Sequence, residues 1–225
     1  MANDSYQPID RRPIAARGWP IWGRTAKWLV ALSVSPNSIS LAGMGCGVAA
    51  GIALAGTTYA AGWERFAWLA GALLIQLRLL ANLLDGMVAI ESQRASPVGE
   101  LYNEVPDRVS DTATLIGAGY AIGGDITLGY LAACAAMFTA YVRATGKAVG
   151  APQEYCGPMA KQQRMALMTV IALYCGAAPA VWQPTWGGPG RGLVTIALLI
   201  IVLGSVLTAV RRLVRIASNL RRSRS

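Results

Sequence analysis

The sequence predicts an all-α integral membrane bundle of six transmembrane helices with an interfacial amphipathic helix at its N-terminus. Three observations carry that expectation. Of 225 residues, 54% are hydrophobic and only 14% charged, whereas a soluble domain carries about 25% charged residues. Six apolar segments each approach the ~20 residues needed to cross hydrocarbon. The basic residues gather at the two ends and in alternate loops, as the orientation of membrane helices demands.

The same composition excludes disorder, a coiled coil and an ordinary cytosolic enzyme. The chain contains no histidine, so an imidazole base and a histidine-bound metal are both excluded. Cys46, Cys134, Cys156 and Cys175 are far apart and never form C-x-x-C. They read as small apolar side chains rather than zinc ligands or a disulfide framework. The net charge of +9 fits contact with anionic lipid better than a nucleic-acid partner, because of where the cations lie.

Residues 1–30 are expected to form a cytoplasmic interfacial arm, residues 31–215 the six-helix transmembrane domain, and residues 216–225 a basic cytoplasmic tail. In the arm, Arg11, Arg12, Arg17, Arg24 and Lys27 alternate with Trp19, Ile21, Trp22 and Trp28. Tryptophan with Arg and Lys is the composition of a helix lying in the headgroup layer. No continuous apolar region precedes a cleavage site, so the arm is not read as a secretory signal.

The spans are expected at about 36–56, 66–90, 98–122, 126–146, 161–182 and 192–213. Ser35-Pro36 and Ser96-Pro97 each supply an N-cap followed by proline at the first helical position. Gly43, Gly47, Gly51 and Ala55, each four apart, form a small-residue ridge for a close helix neighbour. Gly123-Gly124 and the stretch from Pro184 to Gly190 punctuate the short loops. Trp182 and Trp186 suit an aromatic belt at the outer interface. Fifteen Lys and Arg fall on one side of the six spans and two on the other. That asymmetry places both termini in the cytoplasm, and the lack of a targeting peptide in the arm favours a plasma (inner) membrane.

Ionisable residues inside spans are costly and mark function. Here they concentrate in two stretches that flank one cytoplasmic loop. The second span holds Arg78 and ends Asn82-Leu-Leu-Asp85-Gly86. The third begins Gly99-Glu100-Leu-Tyr-Asn103-Glu104-Val-Pro106-Asp107-Arg108-Val-Ser-Asp111. Helical spacing puts Asn82, Asp85 and Ala89 on one face, and Gly99, Asn103, Asp107 and Asp111 on one face of the next helix. Hard oxygen donors from two helices suit Mg²⁺ or Mn²⁺. Gly86 and Gly99 remove side chains where a ligand comes close. Pro106 leaves the Tyr102 carbonyl without its helical donor. Seven acids and amides in this arrangement predict a site for cation and phosphate. A small transporter would instead spread polar groups near mid-membrane over several helices.

These residues resemble the CDP-alcohol phosphatidyltransferases, which carry D-x2-D-G-x2-A-R-x8-G-x3-D-x3-D across the same two spans. The chain reads Asn82-x2-Asp85-Gly86-x2-Ala89-Ile90-x8-Gly99-x3-Asn103-x3-Asp107, with every interval equal. Asp85, Gly86, Ala89, Gly99 and Asp107 match; Asn82, Ile90 and Asn103 depart. Ser35-Pro36-Asn37-Ser38-Ile39-Ser40 is similar to the start of the family's first span, so the likeness covers most of the chain.

The resemblance implies a metal-dependent transfer of a phosphatidyl group from CDP-diacylglycerol to a small polar alcohol, with release of CMP. It implies one or two Mg²⁺ or Mn²⁺ ions on Asn82, Asp85, Asn103, Asp107 and Asp111, with Asp85 the principal ligand and Asp107 the base on the acceptor hydroxyl. Gly86, Ala89 and Gly99 would line the cytidine pocket. Arg94, one turn beyond Ile90, would reach the phosphates. Lys161 and Arg164 at the start of the fifth span, with Arg143 in the fourth, would bind the acceptor's phosphate or the donor headgroup. Two asparagines for aspartates remove two negative charges, which lowers affinity for a second metal and points to one-metal operation. The family also implies a homodimer. Two alternatives stand beside this reading. Ser96-Pro97-x-Gly99-Glu100-Leu101-Tyr102 is similar to the choline and ethanolamine phosphotransferases, in which a CDP-headgroup meets diacylglycerol. The three departures also fit a degenerate member that binds a CDP-lipid without turnover.

Overall fold

The computed structural model describes residues 19–92, 98–186 and 190–222, and among them every regular element is helical. Seven α-helices follow in order: α1 (Pro20–Ala31), α2 (Pro36–Gly56), α3 (Glu64–Glu91), α4 (Gly99–Tyr120), α5 (Ile126–Ala148), α6 (Lys161–Ala177) and α7 (Leu193–Arg222). A single 3-10 turn, Ala180–Trp182, lies between the last two. Residues 1–18 of the expected arm, Arg94 and the Ser96-Pro97 cap lie outside the described residues.

All six expected spans are helical, but they are not equivalent. Only α2, α3, α5 and α7 are long and apolar enough to cross a membrane by length and composition. The other two depart from the expected count for separate reasons. α6 ends at Ala177, five residues earlier than expected, because the chain turns at Pro179. At about 1.5 Å per residue it falls short of a ~30 Å hydrocarbon core. α4 carries Glu104, Asp107, Arg108 and Asp111 in its first half. It packs against α2 and α5, with further contact to α7 and α3, and its Asp107 and Asp111 are held by cations of α3 and α6. The helix also continues unbroken through Pro106. At the other end of the chain, α7 runs on to Arg222, so residues 216–222 extend the last helix.

Local chemistry sets the helix starts. The Ser35 hydroxyl accepts from the Ser38 N–H at 3.1 Å, and Pro36 occupies the first position of α2, where a missing N–H costs nothing. Asp125 caps α5 by accepting from the Leu128 N–H at 3.0 Å. The α4–α5 turn is then tied to the start of α7. The Gly123 carbonyl accepts from Gly192 N–H at 2.9 Å and Thr195 N–H at 3.0 Å, and Arg191 pairs with Asp125 at 3.1 Å. Gly123 has φ +74°, in the left-handed region that favours glycine.

The small-residue ridge of α2 serves two neighbours. A Cβ on Gly43 would stand 2.8 Å from Ala81 Cβ of α3. At Gly47 it would overlap Ser110 of α4, and at Gly51 the Ala113 backbone of α4. Close backbone approach is what such residues allow. It brings α3 and α4, which carry the two polar stretches, against one ridge of α2. The apolar core lies beyond them, with Leu54, Trp68, Ile75, Leu115, Met168 and Leu198 all buried in one cluster. α1 rests Trp22, Ala26 and Leu29 against Leu84 and Val88 of α3. Its Trp19, Ile21 and Trp28 stay exposed.

Candidate functional site

The polar ends of α2, α3 and α4 line a cleft with about 180 Å³ of empty space, part of it open to solvent. Ser40 and Gly43 line it from α2, Arg78, Asn82 and Asp85 from α3, and Asn103, Pro106, Asp107 and Ser110 from α4. The spacing that predicted shared faces is therefore met across helices, with Asn82, Asp85, Asn103 and Asp107 brought together.

Two carboxylates of the cleft stand in opposite electrostatic conditions. Asp107 accepts from Arg78 through Oδ1 and from Lys161 through Oδ2. Arg108 adds a third cation at 3.8 Å. Asp85 is only 6% exposed, yet its direct side-chain partner among the described residues is the neutral hydroxyl of Ser40, donating to Oδ2 at 2.7 Å. A buried carboxylate without a counter-ion is expensive, and among the described residues no cation pairs with Asp85, which suits it to a bound cation.

Between them lies Asn82. In the amide orientation that satisfies its neighbours, its nitrogen donates to Asp107 Oδ1 (3.1 Å) and Asn103 Oδ1 (3.2 Å), and its oxygen accepts from Lys161 Nζ (3.2 Å). Asn103 itself is exposed at the mouth.

Asp111, one turn below Asp107, does not line the cleft. It is 2% exposed and pairs with Arg164 at 3.1 Å, with Arg78 3.9 Å away. Arg164 is itself 1% exposed and also donates to the Met159 carbonyl at 2.9 Å. This pair is a buried brace between α4 and α6. Near the mouth, Glu104 pairs with Arg143 and with Arg108 (3.4 Å), and the Arg143 guanidinium lies 5.6 Å from the centre of the Tyr155 ring, within cation–π range. Gly86 and Ala89 are half-buried along the same face of α3, and Gly99 opens α4. Arg94 lies outside the described residues.

Two contributors had no assigned role in the sequence reading. Ser40 stands four residues after Pro36 and reaches Asp85 across the helix pair. Arg78 stands four before Asn82 and seven before Asp85, on the same helical face. That spacing is the signal that identifies it.

A hard divalent cation fits this donor set in part. Among the described residues, no three His, Cys, Asp or Glu side chains converge closely enough to hold a metal. Asp85, Asn82 and Asn103 do line the same cleft, and oxygen donors of this kind suit Mg²⁺ or Mn²⁺.

No protein-family model matches the chain. It is 30% identical over 198 residues to the phosphatidylinositol phosphate synthase of Streptomyces avermitilis, spanning 85% of this chain and 75% of that one. It is 32% identical over 172 residues to the archaetidylinositol phosphate synthase of Aeropyrum pernix, spanning 70% and 82%. Among solved structures, the Mycobacterium tuberculosis phosphatidylinositol phosphate synthase with CDP-DAG bound superimposes with a TM-score of 0.70 at 20% identity, over 88% of this chain and 94% of that one. The same enzyme with manganese and citrate gives 0.69 over 87% and 88%. At such identity the structural likeness shows a shared fold.

Proposed function

Because the chain belongs to the CDP-alcohol phosphatidyltransferase family, we propose that it moves a phosphatidyl group from CDP-diacylglycerol to a small polar alcohol and releases CMP. It is an enzyme of phospholipid biosynthesis and a membrane protein. The observation that carries the finer reading is Asp85, a buried carboxylate with no counter-ion among the described residues, in a cleft that also holds Arg78, Asn82 and Asp107.

Asp85, with the amide oxygen of Asn103, would hold the divalent ion. That ion, when bound, supplies positive charge to the pyrophosphate and makes CMP a better leaving group. The protein does the rest. Gly86, Ala89 and Gly99 line the cytidine pocket, and Arg94 binds the phosphates. Arg78 and Lys161 hold the Asp107 carboxylate in place. The acceptor hydroxyl attacks the β-phosphorus. As the new P–O bond forms and the bond to CMP breaks, Asp107 takes the hydroxyl proton. Arg143 meets the polar end of the acceptor. Arg164 and Asp111 support the floor of the site.

The topology belongs to the same reading. Six helices cross a plasma membrane with both termini in the cytoplasm. The arm 1–30 lies in the headgroup layer, supported by the exposed Trp19 and Trp28 beside Arg24 and Lys27 of α1. The domain is 31–215 with a basic tail after it, and the chain pairs as a homodimer.

The test is CMP release by purified protein with CDP-diacylglycerol, Mg²⁺ or Mn²⁺ and a panel of acceptor alcohols, with Asp107→Ala as control. Release that needs metal, one acceptor and Asp107 is expected. No release with any acceptor would sink the CDP-diacylglycerol reading. Repeating the assay with CDP-choline, CDP-ethanolamine and diacylglycerol would then separate a headgroup transferase from a non-catalytic binder.

A further inference from the structure

We propose that the ammonium of Lys161 stands in for a second divalent cation, so that this chain works with one metal ion and its own lysine. The inference rests on the reading of the site given above and concerns how its positive charge is supplied.

Charge is the first argument. Asn82 and Asn103 stand where the matched pattern has aspartates, and together they remove two negative charges, the charge of one divalent ion. Asp85 and Asp107 remain in the cleft, against Arg78 and Lys161. That group is formally neutral before any metal binds. One divalent ion then balances the two negative charges of a pyrophosphate diester, and a second would leave the site two charges in excess.

Geometry is the second argument. A metal bridging Asp107 and Asn103 needs oxygens turned toward a common point. Here the space between Asp107 Oδ1 and Asn103 Oδ1 is taken by the Asn82 nitrogen, which donates to both. The oxygens of Asn82 and Asp107 that do converge, from α3 and α4, converge on Lys161 Nζ of α6. An ammonium has three donors and no acceptor. Two are engaged by these oxygens, which leaves one for a phosphate oxygen in the cleft. Lysine delivers this charge without a metal-binding equilibrium.

The experiment counts metal and follows rate separately. Purified protein is titrated with Mn²⁺ in the presence of CDP-diacylglycerol, and free Mn²⁺ is read by electron paramagnetic resonance. One bound ion per chain is expected for the wild type and for Lys161→Met. Two are expected for Asn82→Asp/Asn103→Asp/Lys161→Met, where both carboxylates return and the ammonium is gone. In the CMP-release assay, Lys161→Met should lower kcat by about 100-fold, the scale of losing one charge-stabilising group. Lys161→Arg should keep part of that rate.

Two ions on the wild type would overturn the proposal. So would one ion on the folded triple variant, or a Lys161→Met effect confined to the acceptor KM. Should the triple variant not fold, the wild-type count and the Met–Arg contrast decide. If the wild type releases no CMP with any donor, the transferase reading falls and the metal counts alone judge the role of Lys161.

Discussion

The hydroxyl of Ser40 on α2 donates to Oδ2 of Asp85 on α3 at 2.7 Å, and Ser40 also reaches back to the Pro36 carbonyl at 3.2 Å. The contact ties the carboxylate proposed to hold metal to the first turns of the neighbouring helix. Ser40→Ala should raise the Mn²⁺ concentration for half-maximal CMP release by about 10-fold, as expected for losing a hydrogen bond that orients a ligand. It should lower stability by only about 1 kcal/mol. An unchanged metal dependence would remove Ser40 from the site.

Asp107 answers to Arg78 and Lys161 together. Asp107→Asn leaves both cations without their carboxylate. It should abolish CMP release and cost about 3–5 kcal/mol of stability. Adding Arg78→Met should recover much of the stability, read as denaturation temperature in detergent, and none of the activity. Restored turnover in the double variant would show that Asp107 is not the base.

Arg164 and Asp111 are both buried and pair at 3.1 Å. Arg164→Met alone should destabilise by about 3–5 kcal/mol, because it strands a carboxylate. Arg164→Met with Asp111→Leu should be much less costly. The double variant is expected to keep an acceptor KM near the wild-type value. A large rise in that KM would return Arg164 to the acceptor pocket.

The ridge of α2 offers a graded packing test. A side chain on Gly45 meets open space, whereas one on Gly47 overlaps Ser110 of α4. Gly45→Ala should leave the denaturation temperature unchanged. Gly47→Ala should lower it, by about 1–3 kcal/mol in stability, as overpacking does. Equal behaviour of the two would contradict the α2–α4 contact.

Asp125 lies outside the spans, and the Leu128 N–H it accepts, with Arg191 nearby, holds its carboxyl below the usual carboxylate range. A lowered folded-state pKa gives stability that is present above the unfolded value and lost as pH falls through the folded one. Asp125→Ala should cost about 1 kcal/mol at neutral pH. The gap between variant and wild type should close on acidification below the ordinary aspartate range. A gap that persists there would mean the contribution is not from the ionised cap.

Much of this molecule was legible in its sequence because the relevant physics is local. Apolar composition over a ~20-residue window locates helices whatever they pack against. A period of 3.6 places Asn82 with Asp85, and Asn103 with Asp107 and Asp111, on shared faces before any neighbour is known. The Ser35 cap and the glycine ridge act within a few residues of themselves, and both appear as expected.

What only the tertiary structure decided is partnership across distance. Lys161 meets Asp107 from 54 positions away, Ser40 meets Asp85 from 45, and Arg164 meets Asp111 from 53. No local periodicity encodes which cation faces which carboxylate. The three acids of similar spacing therefore separated into an unpaired Asp85, a doubly paired Asp107 and a sealed Asp111. The lengths of α4 and α6 were decided in the same way. A polar helix persists where neighbours shield its charges, and an apolar one stops where proline turns the chain. Composition sets the solvent each segment prefers, but the packing of distant segments sets the charge each site presents.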